Sequence, residues 1–196
     1  DCFQTVVGYD RRYGMHYDSL KTIARINYNN AARNPFAQSR NWTIEAGHFS
    51  DNDQLNPLIE GRMRKMDCGQ ITDGAACIFL ASERAARVYA QGRGLSLNEI
   101  PYIKGWGHRS APLLLTEKLR ISAQQPFIFP HVRLMVEDAL KRAGMLSVND
   151  LDGLETHDCF TVTEYMAIDH WGLTAPGQSW QAIDDGRIAM DGQFPI

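Results

Sequence analysis

The chain has 196 residues, 44% of them hydrophobic and 22% charged, with a formal net charge of −3. This is ordinary globular composition, long enough for one domain or two small ones. It excludes a chain-wide basic field for nucleic acid or an acidic membrane surface, and no apolar run approaches the roughly 18 residues of a membrane span.

The opening segment, DCFQTVVGYDRRYG, lacks the apolar stretch of a signal peptide. With no initiator Met, the chain reads as processed or as part of something longer. The four cysteines (Cys2, Cys68, Cys77 and Cys159) are far apart and form no C-x-x-C pair, which fits a reducing compartment, the cytoplasm or an organelle matrix. Asn41 in NWT is a formal glycosylation sequon, a triplet frequent by chance.

Five stretches carry structural signals. Residues 17–35 place Leu20, Ile23, Ala24 and Ile26 at near-helical spacing, with Asp18 or Ser19 as cap and Pro35 as stop. Residues 36–60 are polar and rich in turn formers, and read as irregular surface or a lid-like insertion. In residues 73–94, ACIFLA has the length of a buried strand, and SERAARVYAQGRG reads as a helix capped by Ser82 and stopped by glycine. Residues 100–108, IPYIKGWGH, are strand-like.

From residue 130, Val132, Met135, Val136, Ala139 and Leu140 form one helical stripe closed by KRAG. VNDLDGLET supplies a turn and a short strand. CFTVTEYMAIDHWGL reads as a helix stopped at Gly172, followed by a short helix and a glycine-rich tail. Helices and strands in this alternating order predict a layered α/β protein.

His157, Asp158 and Cys159 stand side by side before the helix that starts near residue 160. A cysteine nucleophile needs a lowered pKa and a base in reach, and in an extended stretch His157 and Cys159 share a face. The following helix offers free N–H groups that could hold a carbonyl oxygen. The plainer alternative is that Asp158 caps the helix, Cys159 is a small apolar residue and His157 satisfies a turn.

Zinc is disfavoured, because His157 and Cys159 are the only close pair of candidate ligands. GRGLSLNE and GWGH match neither G-x-G-x-x-G nor a P-loop. GRMRKMD could meet phosphates, although such runs are more often solvated faces. The small residues Gly69, Gly74, Ala75 and Ala76 permit close approach by a ligand, or tight packing of strand on helix.

Taken in order, these segments resemble the thiolases, in the branch related to the sterol-carrier-protein thiolases. YGMHYDSLKTIARINYNNAARNPFAQSR is similar to the loop-domain helix of that branch. DCGQITDGAACIFLASERAA resembles its small-residue turn, strand and SE helix start. ALKRAGMLSVNDLDGLETHDCFTVTEYMAIDHWGL resembles its HDCF segment, and DDGRIAMDGQFPI resembles the approach to a glycine-rich segment that follows.

The resemblance implies part of a five-layer α/β fold of two similar halves. It assigns 1–66 to the loop domain, 67–95 to the end of the N-terminal half and 96–196 to the start of the C-terminal half. It implies acyl transfer on acyl-CoA or 3-ketoacyl-CoA, of the acetyl-CoA acetyltransferase type, with coenzyme A as a substrate and no bound cofactor.

His157 then takes the position of the residue that holds an oxyanion-hole water. Gly69, Cys159 and Phe160 line the pantetheine tunnel, and Ile128 packs against the acyl or pantetheine chain. The family's nucleophilic cysteine and its GHP histidine match no segment here, so the chain is expected to be an internal fragment, inactive alone. Two other readings stay open: a thiolase-like retro-aldol lyase with a small OB-fold-type partner protein, and a thiolase-shaped binding subunit. Homo-oligomers are expected by analogy.

Overall fold

A computed structural model describes residues 2–196, with side chains from Val6 onward; the side chain of Cys2 lies outside the described residues. The element order is α1 (Cys2–Tyr13), α2 (Tyr17–Arg33), a hairpin of β1 (Leu58–Glu60) and β2 (Met63–Arg64), α3 (Glu83–Arg93), α4 (Leu115–Ser122), α5 (Pro130–Ala143), α6 (Thr161–Trp171) and α7 (Ser179–Asp184). Short 3-10 turns lie between them. The fold is therefore a mixed, mostly helical arrangement with one small antiparallel sheet, turned at Gly61 with φ 59°.

α6 is the hub. Nine of its eleven residues are buried, including Val162, Tyr165, Met166 and Ile168, so it is covered on all sides, unlike a surface helix with one apolar stripe. α2, α5 and α7 pack around it. α2 contributes Leu20, Ile23 and Ala24 at the spacing of one helical face.

α1, which carried no clear sequence signal, docks through Val6 and Tyr9. The Tyr9 ring meets Tyr165 edge to face at 5.8 Å, and its hydroxyl donates to Asp169 Oδ2 at 2.6 Å. Asp169 Oδ2 also accepts from the Gly177 N–H at 2.7 Å. Next to it, His170 Nε2 accepts from the Phe129 N–H at 3.0 Å, and Nδ1 faces Met166 O and Asp169. These buried polar groups are partnered, as the cost of burying them requires.

Local signals set most helix ends. Ser82 Oγ accepts from the Ala85 N–H, and Gly94 closes α3 in the left-handed region at φ 68°. Pro130 opens α5 and Gly144 closes it at φ 71°. Gly172 ends α6 at φ 88°, with Arg133 Nη1 donating to Trp171 O at 2.7 Å.

Two expected caps are corrected. α2 begins at Tyr17 after His16, which makes no side-chain cap bond; Asp18 pairs with Lys21 instead, and Ser19 Oγ donates to Asp184 at 3.2 Å. α6 has Phe160 in the capping position, because the Asp158 carboxylate is taken by Asn27.

The predicted strands at 76–81 and 100–108 do not form: neither stretch has regular secondary structure or a pairing partner. Among the described residues no backbone–backbone hydrogen bond involves 70–81 or 101–112; the Asp73 and Trp106 carbonyls accept only from the side chains of Gln38 and Arg142. Ile78, Phe79 and Leu80 are 81%, 93% and 75% exposed, so both faces of that stretch are open. The second stretch rests on α5: a Cβ on Gly105 or Gly107 would run into the carbonyl oxygens of Ala139 and Met135. Only glycine allows that approach. The short strand expected before His157 is likewise absent, apart from an isolated bridge between Cys68 and Phe160.

Candidate functional site

A cleft of about 340 Å³ opens between α2 and the head of α6. Ala24, Asn27, Tyr28 and Ala31 of α2 form one wall, and Gln38, Ser39 and Trp42 close over it from the segment beyond Pro35. Residues 66–70 with Thr72 form the floor, and Asp158 and Thr161 complete the far side. The polar stretch read as lid-like thus supplies a rim, through Gln38, Ser39 and Trp42.

The floor is tied to α6 by main-chain pairing. Cys68 bridges Phe160 antiparallel, and the Gly69 N–H donates to Cys159 O at 2.8 Å. A Cβ on Gly69 would lie 3.1 Å from that same oxygen, tighter than ordinary packing, so the pairing favours glycine. Below the floor, Thr161 Oγ1 donates to Asp67 Oδ1 at 2.9 Å, and Asp67 Oδ2 accepts from the Arg64 N–H at 2.8 Å.

Burial raises the carboxyls of Asp67 and Asp158 above the usual carboxylate range. It pushes the Glu164 carboxyl up to about 7. It also raises the Cys68 thiol, helped by the negative charge of Asp67, which is the opposite of what activates a nucleophile.

Gly69, Cys159 and Phe160 come together here. Gly69 lines the cleft, and Cys159 and Phe160, both half-buried, pair with its floor. The Cys159 sulfur lies 3.8 Å from the Thr163 hydroxyl. His157 is exposed in the loop just before them. Ile128 does not join the group: it is 1% exposed, inside the core cluster. No set of three or more metal-ligating side chains converges among the described residues.

Asn27, Asp67 and Glu164 did not stand out in sequence. Asn27 bonds Asp158 and Glu164 from more than a hundred residues away, a relation that no local spacing announces. Thr161-x-x-Glu164 does match a capping-box pattern, yet Thr161 is already helical and its hydroxyl faces Asp67.

Residues 115–196 match the family model described as thiolase C-terminal domain-like. The chain is 28% identical over 186 residues to the acetyl-CoA acetyltransferase of Methanothermobacter thermautotrophicus, covering 94% of this chain and 43% of that protein. It is 24% identical over 190 residues to human sterol carrier protein 2, covering 94% and 31%. Among solved structures it is similar to one described as Ltp2-ChsH2(DUF35) aldolase, with a TM-score of 0.69 at 19% identity, covering 98% of this chain and 47% of that one. That last likeness is one of fold. The chain spans less than half the length of the curated relatives it matches.

Proposed function

The chain is thiolase-like in sequence and fold, and from that premise we propose that it serves acyl transfer on acyl-CoA or 3-ketoacyl-CoA thioesters, of the acetyl-CoA acetyltransferase type. The observation that carries this reading is the paired floor of the cleft. Gly69, Cys159 and Phe160, from segments ninety residues apart, meet through the 2.8 Å Gly69–Cys159 bond, beside a cavity walled by aromatic rings such as Tyr28 and Trp42 and by polar groups such as Asn27 and Gln38.

In this proposal a pantetheine arm runs along that floor, past the Gln38 and Asn27 amides that line the same cleft. Coenzyme A enters as a substrate. His157, exposed at the mouth of the same loop, donates an imidazole N–H to a water that stabilises the thioester oxygen as charge develops on it. Cys159 and Phe160 act as wall. Ile128 acts through the core that backs α6.

The nucleophile is not among the thiols described. Cys68 is raised by burial, the Cys159 sulfur faces the Thr163 hydroxyl, and Cys77 is exposed in the unpaired stretch. These 196 residues by themselves are therefore proposed to be inactive, with the reactive cysteine and its base supplied by further thiolase-like polypeptide. The same polypeptide would cover residues 70–81 and 101–112, and self-association of the complete protein is part of the reading.

A second reading is favoured by the solved structure described as an aldolase: cleavage of a CoA-linked side chain by a thiolase-like lyase acting with a small partner. One assay separates the two. The full-length protein is given acetoacetyl-CoA or a longer 3-ketoacyl-CoA with free CoA. Consumption of free CoA with formation of a shortened acyl-CoA supports transfer. No consumption of either substrate, together with CoA-independent cleavage of a β-hydroxyacyl-CoA, replaces it with the lyase.

A further inference from the structure

Asn27, Asp158 and Glu164 meet at the wall of the cleft, and acyl transfer as derived above uses none of them. The Asn27 Nδ2 amide donates to Asp158 Oδ2 at 2.6 Å and to Glu164 Oε2 at 2.8 Å. An amide nitrogen has two hydrogens, so both bonds form at once, and the two acceptor oxygens lie within two hydrogen-bond lengths of each other. The amide satisfies two lone pairs but carries no charge to offset two anions.

Glu164 is 1% exposed, and its Oε1 has no hydrogen-bond partner among the described residues. An ionised carboxylate in that setting is costly, while a neutral acid is tolerated.

The remaining groups around the pair do not remove this cost. His157 and Asp158 come from the loop before α6, and His157 acts on Asp158 rather than on Glu164. Tyr28 on α2 faces Asp158 and Cys68. Asp67 lies behind Thr161, and the nearby cations Arg64 and Lys21 act on Asp67.

We infer that Asn27, Asp158 and Glu164 form a one-proton latch that holds the head of α6 against α2 and thereby sets the width of the cleft. With a proton on the pair, the amide bridges both side chains. When it is lost, repulsion across the neutral amide breaks one of its two bonds, and half-buried Asp158 is the side chain with solvent to move into. Cys159 follows directly in the chain and carries the carbonyl that accepts the Gly69 N–H, so the movement passes to the cleft floor. The latch acts on the cleft whatever occupies it and does not depend on the acyl-transfer reading.

Burial is the main reason that the Glu164 carboxyl is pushed up to about 7, which puts the switch near neutrality. The test uses the full-length protein with no ligand. Hydrogen exchange gives the protection of the Gly69 amide relative to its intrinsic rate, at about pH 6 and about pH 8, in the wild type and in Glu164→Gln, which keeps an acceptor for Asn27 without a charge.

The expected result is a loss of about tenfold in Gly69 protection in the wild type and none in Glu164→Gln. An equal loss in both proteins, or none in the wild type, overturns the latch. Should Glu164→Gln fail to fold, carbon-13 NMR of the wild-type carboxyls decides. Titration of Glu164 near neutral pH, in step with Gly69 protection, supports the latch, and titration below about pH 5 ends it.

Discussion

Two regions of this chain solve opposite problems. The bundle around α6 closes on itself: Tyr9, Leu20, Ile23, Tyr165 and Ile168 are almost fully buried, and Tyr9, Asp169 and His170 find hydrogen-bond partners within it. The stretches 70–81 and 101–112 carry apolar side chains such as Ile78, Phe79, Tyr102 and Trp106 that face outward, and among the described residues their backbone makes no main-chain pairing. An extended segment gains stability only from neighbours on either side and cover above and below. The first region has both neighbours and cover, and the second has neither along most of its length. The cleft lies on the self-sufficient side, at the head of α6.

That contrast is broken or sharpened by substitutions on each side of it. The largest effect is expected inside the bundle. Ile168→Ala removes a fully buried side chain and is expected to cost about 2–5 kcal/mol, read by urea denaturation. A cost below about 1 kcal/mol would mean that α6 is not the hub.

Next comes pH. The Glu164 carboxyl is raised from 4.5 to about 7 in the folded chain, so the folded state keeps a proton that the unfolded state releases. Its contribution is fully present below about pH 4.5 and is lost as pH rises through about 7. The loss is on the order of 3 kcal/mol and should vanish from the pH profile of Glu164→Gln. A profile unchanged by that substitution would contradict it.

Gly107→Ala tests a place where an open stretch rests on the bundle. Its methyl group meets the Met135 carbonyl, and the displacement is expected to cost about 1–3 kcal/mol. The smallest change belongs to the open stretch: Phe79→Ser should alter stability by less than about 0.5 kcal/mol. It should, however, reduce binding of a hydrophobic dye by these 196 residues. A stability loss as large as that of Ile168→Ala would show that residue 79 is covered within the chain.

The same contrast explains what the sequence could announce. Helices α3, α5 and α6 were legible because their ends are marked locally, by Ser82 and Gly94, by Pro130 and Gly144, and by Gly172. The stretches ACIFLA and IPYIKGWGH were legible as strand-like, since composition records the need for burial. Pairing, however, depends on strands that are not adjacent in sequence. α1 was missed because its anchor, Tyr9 on Asp169, spans 160 positions.

At the site, Gly69, Cys159 and Phe160 do converge, while Asp158 turned from a helix cap into half of a shared amide bridge. Local spacing favoured the cap, and only the arrival of α2 offered the carboxylate the Asn27 amide. Ile128, expected along the substrate path, instead fills the core, where an apolar side chain gains most.

In the proposed function the loop before α6 serves the chemistry of a thioester, with His157 as the group that meets the developing charge. The direct test is the kcat of the full-length protein for thiolysis of acetoacetyl-CoA, compared with that of His157→Ala. The expected result is a fall on the order of 10²-fold or more, the scale of one lost oxyanion donor; a near-normal kcat would make His157 an ordinary exposed turn residue and contradict that role.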